Sequence, residues 1–431
     1  MDIRAGLCGM VLTALLAGSS VAVGQSEFVI FSFIDSANQG STPQGNLAAD
    51  AAGNLYGISF QGGAFFAGNV YELVRPVPPK KQWIQKVLYT FTWLEDGGLP
   101  SGGVIFDSAG NLYGTTIEGG TAALGTVFRL APPATDGGDW TETVLYSFLG
   151  GTIDGAHPNG GLVFDKAGNL YGTTSGGGFT NTSTCSQGCG TVFELASPTA
   201  TGGEWTENVI QFFHYTTGGY PGSAPIIDAR GDLYGTTVYG GPSGEGTVYR
   251  LTPPATEGAH WGYRVLYAFQ GLLTADSAQP WGSLTLHGAG VLYGTASYGG
   301  TYEYGTIFQL VPPSVAGGAW TENILHNFGG SDGDRPVDNV IFDKAGNLYS
   351  TTIFGGRVGC GNFGCGTVFR LSPPASPGAD WTETVLHFFP ATQTDGITPS
   401  GGVILGKNGM LYGVTQGGVT SVDGTIFGIV P

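Results

Sequence analysis

Carboxylates recur in this chain at a fixed setting. Asp96, Asp154, Asp276, Asp332 and Asp395 each stand four residues before a proline, at Pro100, Pro158, Pro280, Pro336 and Pro399, as Asp-Gly-x-x-Pro or a close relative. Carboxylate oxygens are hard donors, so five of them around one channel mouth could hold Ca2+ or the hydroxyls of a polar ligand. The same spacing fits a repeated turn in which each Asp accepts backbone N–H bonds, and the residues alone leave both readings open. A second set is aromatic. Trp93 and Trp281 lie in the same segments as the carboxylates, while Tyr239, Tyr298, Tyr302, Phe65, Phe66, Tyr304, Phe354 and Phe363 lie in segments that carry glycine pairs. An aromatic face stacks on the C–H face of a sugar ring while Asp or Asn bonds its hydroxyls; the competing role is packing between neighbouring units of the fold.

Of the six histidines, His157 is the one placed to serve as an acid or base, three residues after Asp154. No Gly-x-Ser-x-Gly elbow, phosphate-cradling loop or paired-histidine motif occurs, so no catalytic residue is assigned. Cys185 with Cys189 and Cys360 with Cys365 read as two local disulfides, and a zinc site made from all four thiolates is the alternative. No cofactor is expected beyond Ca2+, the one ion the carboxylates could hold.

These residues hang on a repeat. Gly-x-Leu-Tyr occurs seven times, ending at Tyr56, Tyr113, Tyr171, Tyr234, Tyr293, Tyr349 and Tyr412. In the second copy, Gly103 to Asp107, Asn111 to Thr116, Gly125 to Leu130 and Thr141 to Phe148 are short runs of β-branched and aromatic residues bounded by Gly, Pro or Asp, which predicts four strands, a to d. Asp107 and Gly110 fit a tight a–b turn, as do the equivalent pairs led by Asp50, Asp165, Asp228 and Asp343, because such a turn needs a positive φ that glycine adopts without penalty. From the last Leu of strand c to the Trp before strand d the span is ten residues in each of six copies. The span from the strand b Tyr to the strand c aromatic is 15 residues in five copies but 22 from Tyr171 to Phe193 and 20 from Tyr349 to Phe369. In an up-and-down sheet the b–c and d–a connections leave at one end, so variable loops, carboxylates and aromatics gather on one face.

The last copy stops after Gly424 to Val430, which matches strand c, whereas Glu27 to Phe33 (EFVIFSF) matches the strand d of Glu142 to Phe148 (ETVLYSF). The front of the chain therefore supplies the missing outer strand. The predicted fold is all-β, a seven-bladed β-propeller of four-stranded antiparallel blades, closed by an N-terminal strand that completes the last blade and forming one domain over residues 25–431.

With 15 basic against 32 acidic residues the net charge is −17, which disfavours phosphate backbones and anionic membrane surfaces as partners and excludes nucleic acid as the natural ligand. Met1 to Gly24, with Arg4, an apolar stretch and small residues before Gln25, reads as a secretory signal; no other segment approaches the roughly 20 apolar residues of a membrane span. The repeated Asp-x-Ala-Gly-Asn-Leu-Tyr-Gly-Thr-Thr, Gly-Thr-Val-Phe-x-Leu and Trp-Thr-Glu-Thr-Val-Leu-Tyr-x-Phe resemble the GloVer tandem-repeat family, also labelled choice-of-anchor or extracellular repeat proteins. That resemblance implies an exported bacterial propeller-like protein with no assigned reaction; the ending at Pro431, directly after strand c, favours release over anchoring. The expectation is a secreted, non-catalytic propeller binding an extracellular polysaccharide or protein through its variable face. The alternative is a hydrolase, lactonase or lyase working through channel-mouth carboxylates.

Overall fold

The structure, a computed structural model, describes residues 27–431 apart from 136, 181–182, 201, 257, 316, 357–359, 361–362, 377, 391–395 and 419–422. The signal expected over Met1 to Gly24 and the carboxylate of Asp395 lie outside the described residues. The fold is all-β with almost no helix: one turn of α-helix at Ser36–Gln39 and one 3-10 turn at Gly271–Thr274 interrupt two d–a connections.

Each repeat folds as an antiparallel meander in chain order. In the second, Gly98–Phe106, Leu112–Glu118, Thr126–Ala131 and Thr141–Ser147 pair successively, Tyr113 standing opposite Arg129 and Phe128 opposite Val144. The first runs Ser41–Ala49, Leu55–Gln61, Asn69–Val74 and Ile84–Thr90. In the last, Leu411–Gly418 pairs with Thr425–Ile429, and Thr425–Ile429 pairs in turn with Glu27–Ser32, bringing Val29 opposite Phe427 and Phe31 opposite Ile426. The result is a β-propeller-like arrangement. Counted by continuous hydrogen bonding the sheets are not seven, because a parallel bridge from Asn46 to Gly103 merges the first two repeats into one eight-stranded sheet. Strand a is also less regular than predicted: in the third and fifth repeats it is split in two, Gly155–Ala156 pairing with Gly176–Gly177 and Val163–Phe164 with Leu170 and Tyr171, and likewise Ser277–Ala278 with Tyr298–Gly299 and Thr285–His287 with Val291, Leu292 and Tyr293.

The sequence motifs turn out to be contacts between neighbouring repeats. The Tyr of Gly-x-Leu-Tyr packs against the Trp of the next repeat, with ring centroids 6.3 Å apart for Tyr113 and Trp205 and 5.8 Å for Tyr171 and Trp261. The last repeat makes the same contact with the first, Tyr412 to Trp83 at 6.1 Å. A second contact is a backbone latch. The residue before each strand a proline has φ between 49° and 56°, in the left-handed region, at Thr42, Leu99, His157, Tyr220, Gln279, Arg335 and Thr398. Its N–H donates to a carbonyl of the preceding repeat, for example Leu99 to Ala67 at 2.8 Å and Gln279 to Glu245 at 2.9 Å, and Thr42 closes back onto Asp423 at 2.6 Å. The glycine after each acceptor is fixed by sterics as well as by its own positive φ: a Cβ on Gly68 would collide with Pro100, and one on Gly305 with Pro336.

Candidate functional site

Past the latch proline, strand a carries Gly-Gly or another small pair in most repeats because its neighbours come too close for a side chain. A Cβ on Gly102 would strike the backbone of Gly160 and Gly161, and one on Gly160 the backbone of Ser223 and Ala224. These strands surround a central cavity of about 870 Å3 to which every repeat contributes. Three departures from the Pro-x-Gly-Gly pattern place larger side chains there. The first repeat has Pro43-Gln44-Gly45-Asn46, the fifth Pro280-Trp281-Gly282-Ser283 and the sixth Pro336-Val337-Asp338-Asn339.

Asp338 and the two asparagines form an acid–amide cluster. Asn46 Nδ2 donates to Asp338 Oδ1 at 3.2 Å and to Asn339 Oδ1 at 3.2 Å, and the Asn339 N–H donates to Asp338 Oδ1 at 2.6 Å. Asn46 Oδ1 is buried and has no hydrogen-bond partner. Desolvation pushes the Asp338 carboxyl above the ordinary range against the opposing bonds from Asn339, Gly402 and Asn46. Among the described residues no Lys, Arg or His forms an ion pair with it. A line of neutral donors and acceptors continues along the cavity: Gln416 Nε2 to Gln44 Oε1 and Gln44 Nε2 to Ser101 Oγ, each 3.4 Å, then Ser101 Oγ to the Asn159 carbonyl at 3.0 Å.

The other side is aromatic. Trp281, Tyr298 and Phe354 line the cavity, and the Arg335 guanidinium lies between two of these rings, 5.0 Å from the centre of Tyr298 and 5.2 Å from that of Phe354. Arg335 Nε stands 3.9 Å from Asp334 Oδ1. Tyr298 and Arg335 also line an adjoining groove of about 570 Å3 that adds Tyr302, Tyr304 and Phe363, all exposed. Tyr239 packs edge-on against Tyr220, 5.9 Å away; burial, then the nearness of Tyr298, raises its hydroxyl.

The structure thus gathers Trp281, Tyr298, Tyr302, Tyr304, Phe354 and Phe363 from the predicted set and separates others from them. Trp93 bonds the Phe65 carbonyl through Nε1 at 3.0 Å in the loops of the first repeat and lines neither cavity, and Phe65 and Phe66 beside it are exposed. Of the two readings left open for the carboxylates, the four described ones take the repeated turn. Asp96 accepts from the Tyr89 hydroxyl at 3.1 Å and the Thr92 N–H at 2.9 Å; Asp154 accepts from Tyr146 at 3.0 Å and the Leu149 N–H at 2.6 Å. Asp276 repeats this with Tyr267 and Gln270, and Asp332 with His326 Nε2 at 2.9 Å and the Gly329 N–H at 2.8 Å. All four are turned into their own d–a loops, and none lines the central cavity. His157 is likewise committed: its N–H makes the latch to Leu124, and its Nδ1 lies 3.1 Å from the Ile117 carbonyl.

Cys185–Cys189 and Cys360–Cys365 are disulfides, which removes the four-thiolate zinc alternative. No group of three or more His, Cys, Asp or Glu among the described residues is arranged to hold a metal ion. Gln44, Asn46, Asn159, Arg335, Asp338 and Asn339 escaped the sequence reading. Registering the repeats on the strand a proline would have exposed Asn46, Asp338 and Asn339 as exceptions to Pro-x-Gly-Gly.

A family model described as the Gloeobacter/Verrucomicrobia repeat matches residues 19–185, 79–272 and 259–431. No curated protein matches. Among solved structures the chain is similar to a putative oxidoreductase (glucose dehydrogenase) from Thermus thermophilus, at 14% identity over 84% of this chain and 100% of that one with a TM-score of 0.41. It is also similar to a protein of unknown function from Dyadobacter fermentans, at 13% identity over 94% and 99% with a TM-score of 0.43.

Proposed function

The chain belongs to the Gloeobacter/Verrucomicrobia repeat family, and from that premise we propose an exported seven-bladed propeller that binds an extracellular saccharide at its central cavity without chemical turnover. Seven blades are supported by the latch and the Tyr–Trp contact, which recur from the last repeat to the first. Export is supported by the two disulfides together with the signal-like Met1 to Gly24. No helix among the described residues is long and apolar enough to cross a membrane.

The observation that carries the saccharide reading is the convergence of aromatic and amide side chains on one cavity: Trp281, Tyr298 and Phe354 on one side, Gln44, Asn46 and Asn159 on the other. Rings offer flat apolar faces and amides offer paired donors and acceptors, the two kinds of surface a pyranose presents in alternation. The adjoining groove extends the aromatic side by enough to follow a second sugar unit. A screen of soluble polysaccharides and oligosaccharides by calorimetry, on the mature chain and on Trp281→Ala, tests this. Binding that drops at least about tenfold in the variant is expected, the scale of one lost stacking contact in a desolvated site; absence of binding to any saccharide removes the reading.

One observation favours the enzyme alternative: Asp338 is the sole carboxylate among the residues lining the cavity, and burial raises it. Release of new reducing or unsaturated ends from a bound polysaccharide, abolished by Asp338→Asn, would establish it.

A further inference from the structure

We infer that the cluster of Asp338, Asn46 and Asn339 is a subsite for a primary ammonium, so that the saccharide taken by this cavity carries a free amino group. The inference rests on the saccharide reading and specifies its ligand.

Six repeats place glycine or serine where Asp338 stands, so the carboxylate is an exception introduced at the most crowded part of the fold. Its partners are all neutral, the Asn46 amide and the backbone N–H groups of Asn339 and Gly402. Both acceptors that Asn46 Nδ2 reaches belong to this cluster, while its own Oδ1 is buried without a donor. The cluster is therefore rich in acceptors and negative in charge, and short of donors. An ammonium brings three donors and the missing charge, whereas a hydroxyl brings one donor and no charge, and a carboxylate or sulfate would face the Asp338 carboxylate directly. The raised Asp338 carboxyl points the same way, since desolvation without a counter-cation disfavours its ionised form. Arg335, the cation that borders the cavity, does not fill this role: it lies between Tyr298 and Phe354 with Asp334 nearby. Its charge is accommodated there.

The experiment is calorimetry of the full mature chain with three oligomers of equal length: a β-1,4-linked glucosamine oligomer, its fully N-acetylated counterpart and a β-1,4-linked glucose oligomer, each in EDTA and again in CaCl2. The free-amine oligomer should bind about 10- to 100-fold tighter than the other two in either buffer, the usual advantage of a hydrogen bond between charged partners over a neutral one. Asp338→Asn should erase that preference while keeping neutral binding, and Asn46→Asp, which adds a second carboxylate to the cluster, should enlarge it. The Asn46→Asp result decides the matter if Asp338→Asn does not fold. Equal or tighter binding of the acetylated or glucose oligomer overturns the ammonium subsite and leaves the saccharide reading standing. So does a preference that survives Asp338→Asn, or one seen only with Ca2+, which would mark an ion site instead. If none of the three oligomers binds, the ammonium subsite falls, while the saccharide reading stands or falls separately by the broader screen of polysaccharides and oligosaccharides.

Discussion

Asn69 occupies a place that threonine holds elsewhere. In the second repeat Thr116 Oγ1 and Thr126 Oγ1 lie 2.9 Å apart, joining strands b and c inside the sheet, and the pairs Thr237–Thr247 and Thr415–Thr425 do the same at 2.9 and 2.8 Å. In the first repeat the partners are Ser59 and Asn69, and Ser59 Oγ, Asn69 Nδ2 and Asn69 Oδ1 are all buried without a hydrogen bond. Leaving such groups unpaired costs about 1–3 kcal/mol each. Asn69→Thr should therefore stabilise the protein by about 1 kcal/mol or more, read as a higher midpoint in denaturant; a lower midpoint would show that the asparagine is satisfied some other way. The same scale explains what could and could not be read in the chain. The Asp-Gly-x-x-Pro spacing was visible, but a ligand ring and a self-bonded loop produce identical spacing. Only the partner on strand d, Tyr89 for Asp96 or His326 for Asp332, distinguishes them. Asp338 stood outside every repeated pattern, and its absence of pattern was the signal.

In four repeats the second residue of strand d is a glutamate that lies near the d–a loop carboxylate of the preceding connection. Glu142 is pushed up to about 7 by burial and then by Asp96, Glu207 to about 8 by burial and then by Asp154, and Glu383 to about 7 by burial, with Asp332 adding to it and His326 opposing. Glu322 is raised in the same way by burial, with Asp276 beside it. A carboxyl held up in the folded state favours folding while it is protonated, so this contribution is complete below about pH 4.5 and is lost as pH rises through about 7 to 8. At the acid end the a–b turns work oppositely. Burial raises Asp107 and Asp343, but bonds from Asn111 and Tyr113, and from Asn347 and Tyr349, outweigh it and hold both below the usual range, so their contribution is lost below about pH 4. Thermal stability should peak near pH 5 and fall by several degrees toward pH 8.5, and Glu207→Gln should flatten the alkaline limb. A melting temperature flat from pH 5 to 8.5 in the wild-type chain would show that these carboxyls are hydrated. Strand existence and order were legible from alternation and turn residues. The interruption of strand a was not, because it arises from crowding among repeats that are distant in sequence.

The ring is sealed without a covalent bond. Glu27–Ser32 zips onto Thr425–Ile429, Thr42 latches onto Asp423, and Trp83 meets Tyr412. A chain beginning at Ile34 would leave Thr425–Ile429 as an open edge, and exposed edges invite pairing with other chains. Such a truncation should aggregate or dimerise on a sizing column and should recover a monomeric elution volume when a peptide spanning Glu27 to Phe33 is added. Monomeric, fully stable truncated protein would refute closure by this strand. Closure could be read in the sequence because a strand d motif sat at the wrong end of the chain. The cavity could not, since its walls come from short segments of every repeat and owe their proximity to the curvature of the whole.

That proximity limits how such a chain can change. In the proposed ring the glycines of strand a touch backbone to backbone, Gly45 against Gly103 and Gly401 against Gly45, so they act as keystones that set the circumference. Gain or loss of one unit would part or jam every keystone together, and the number of units is thereby frozen while loop tips remain free to diversify.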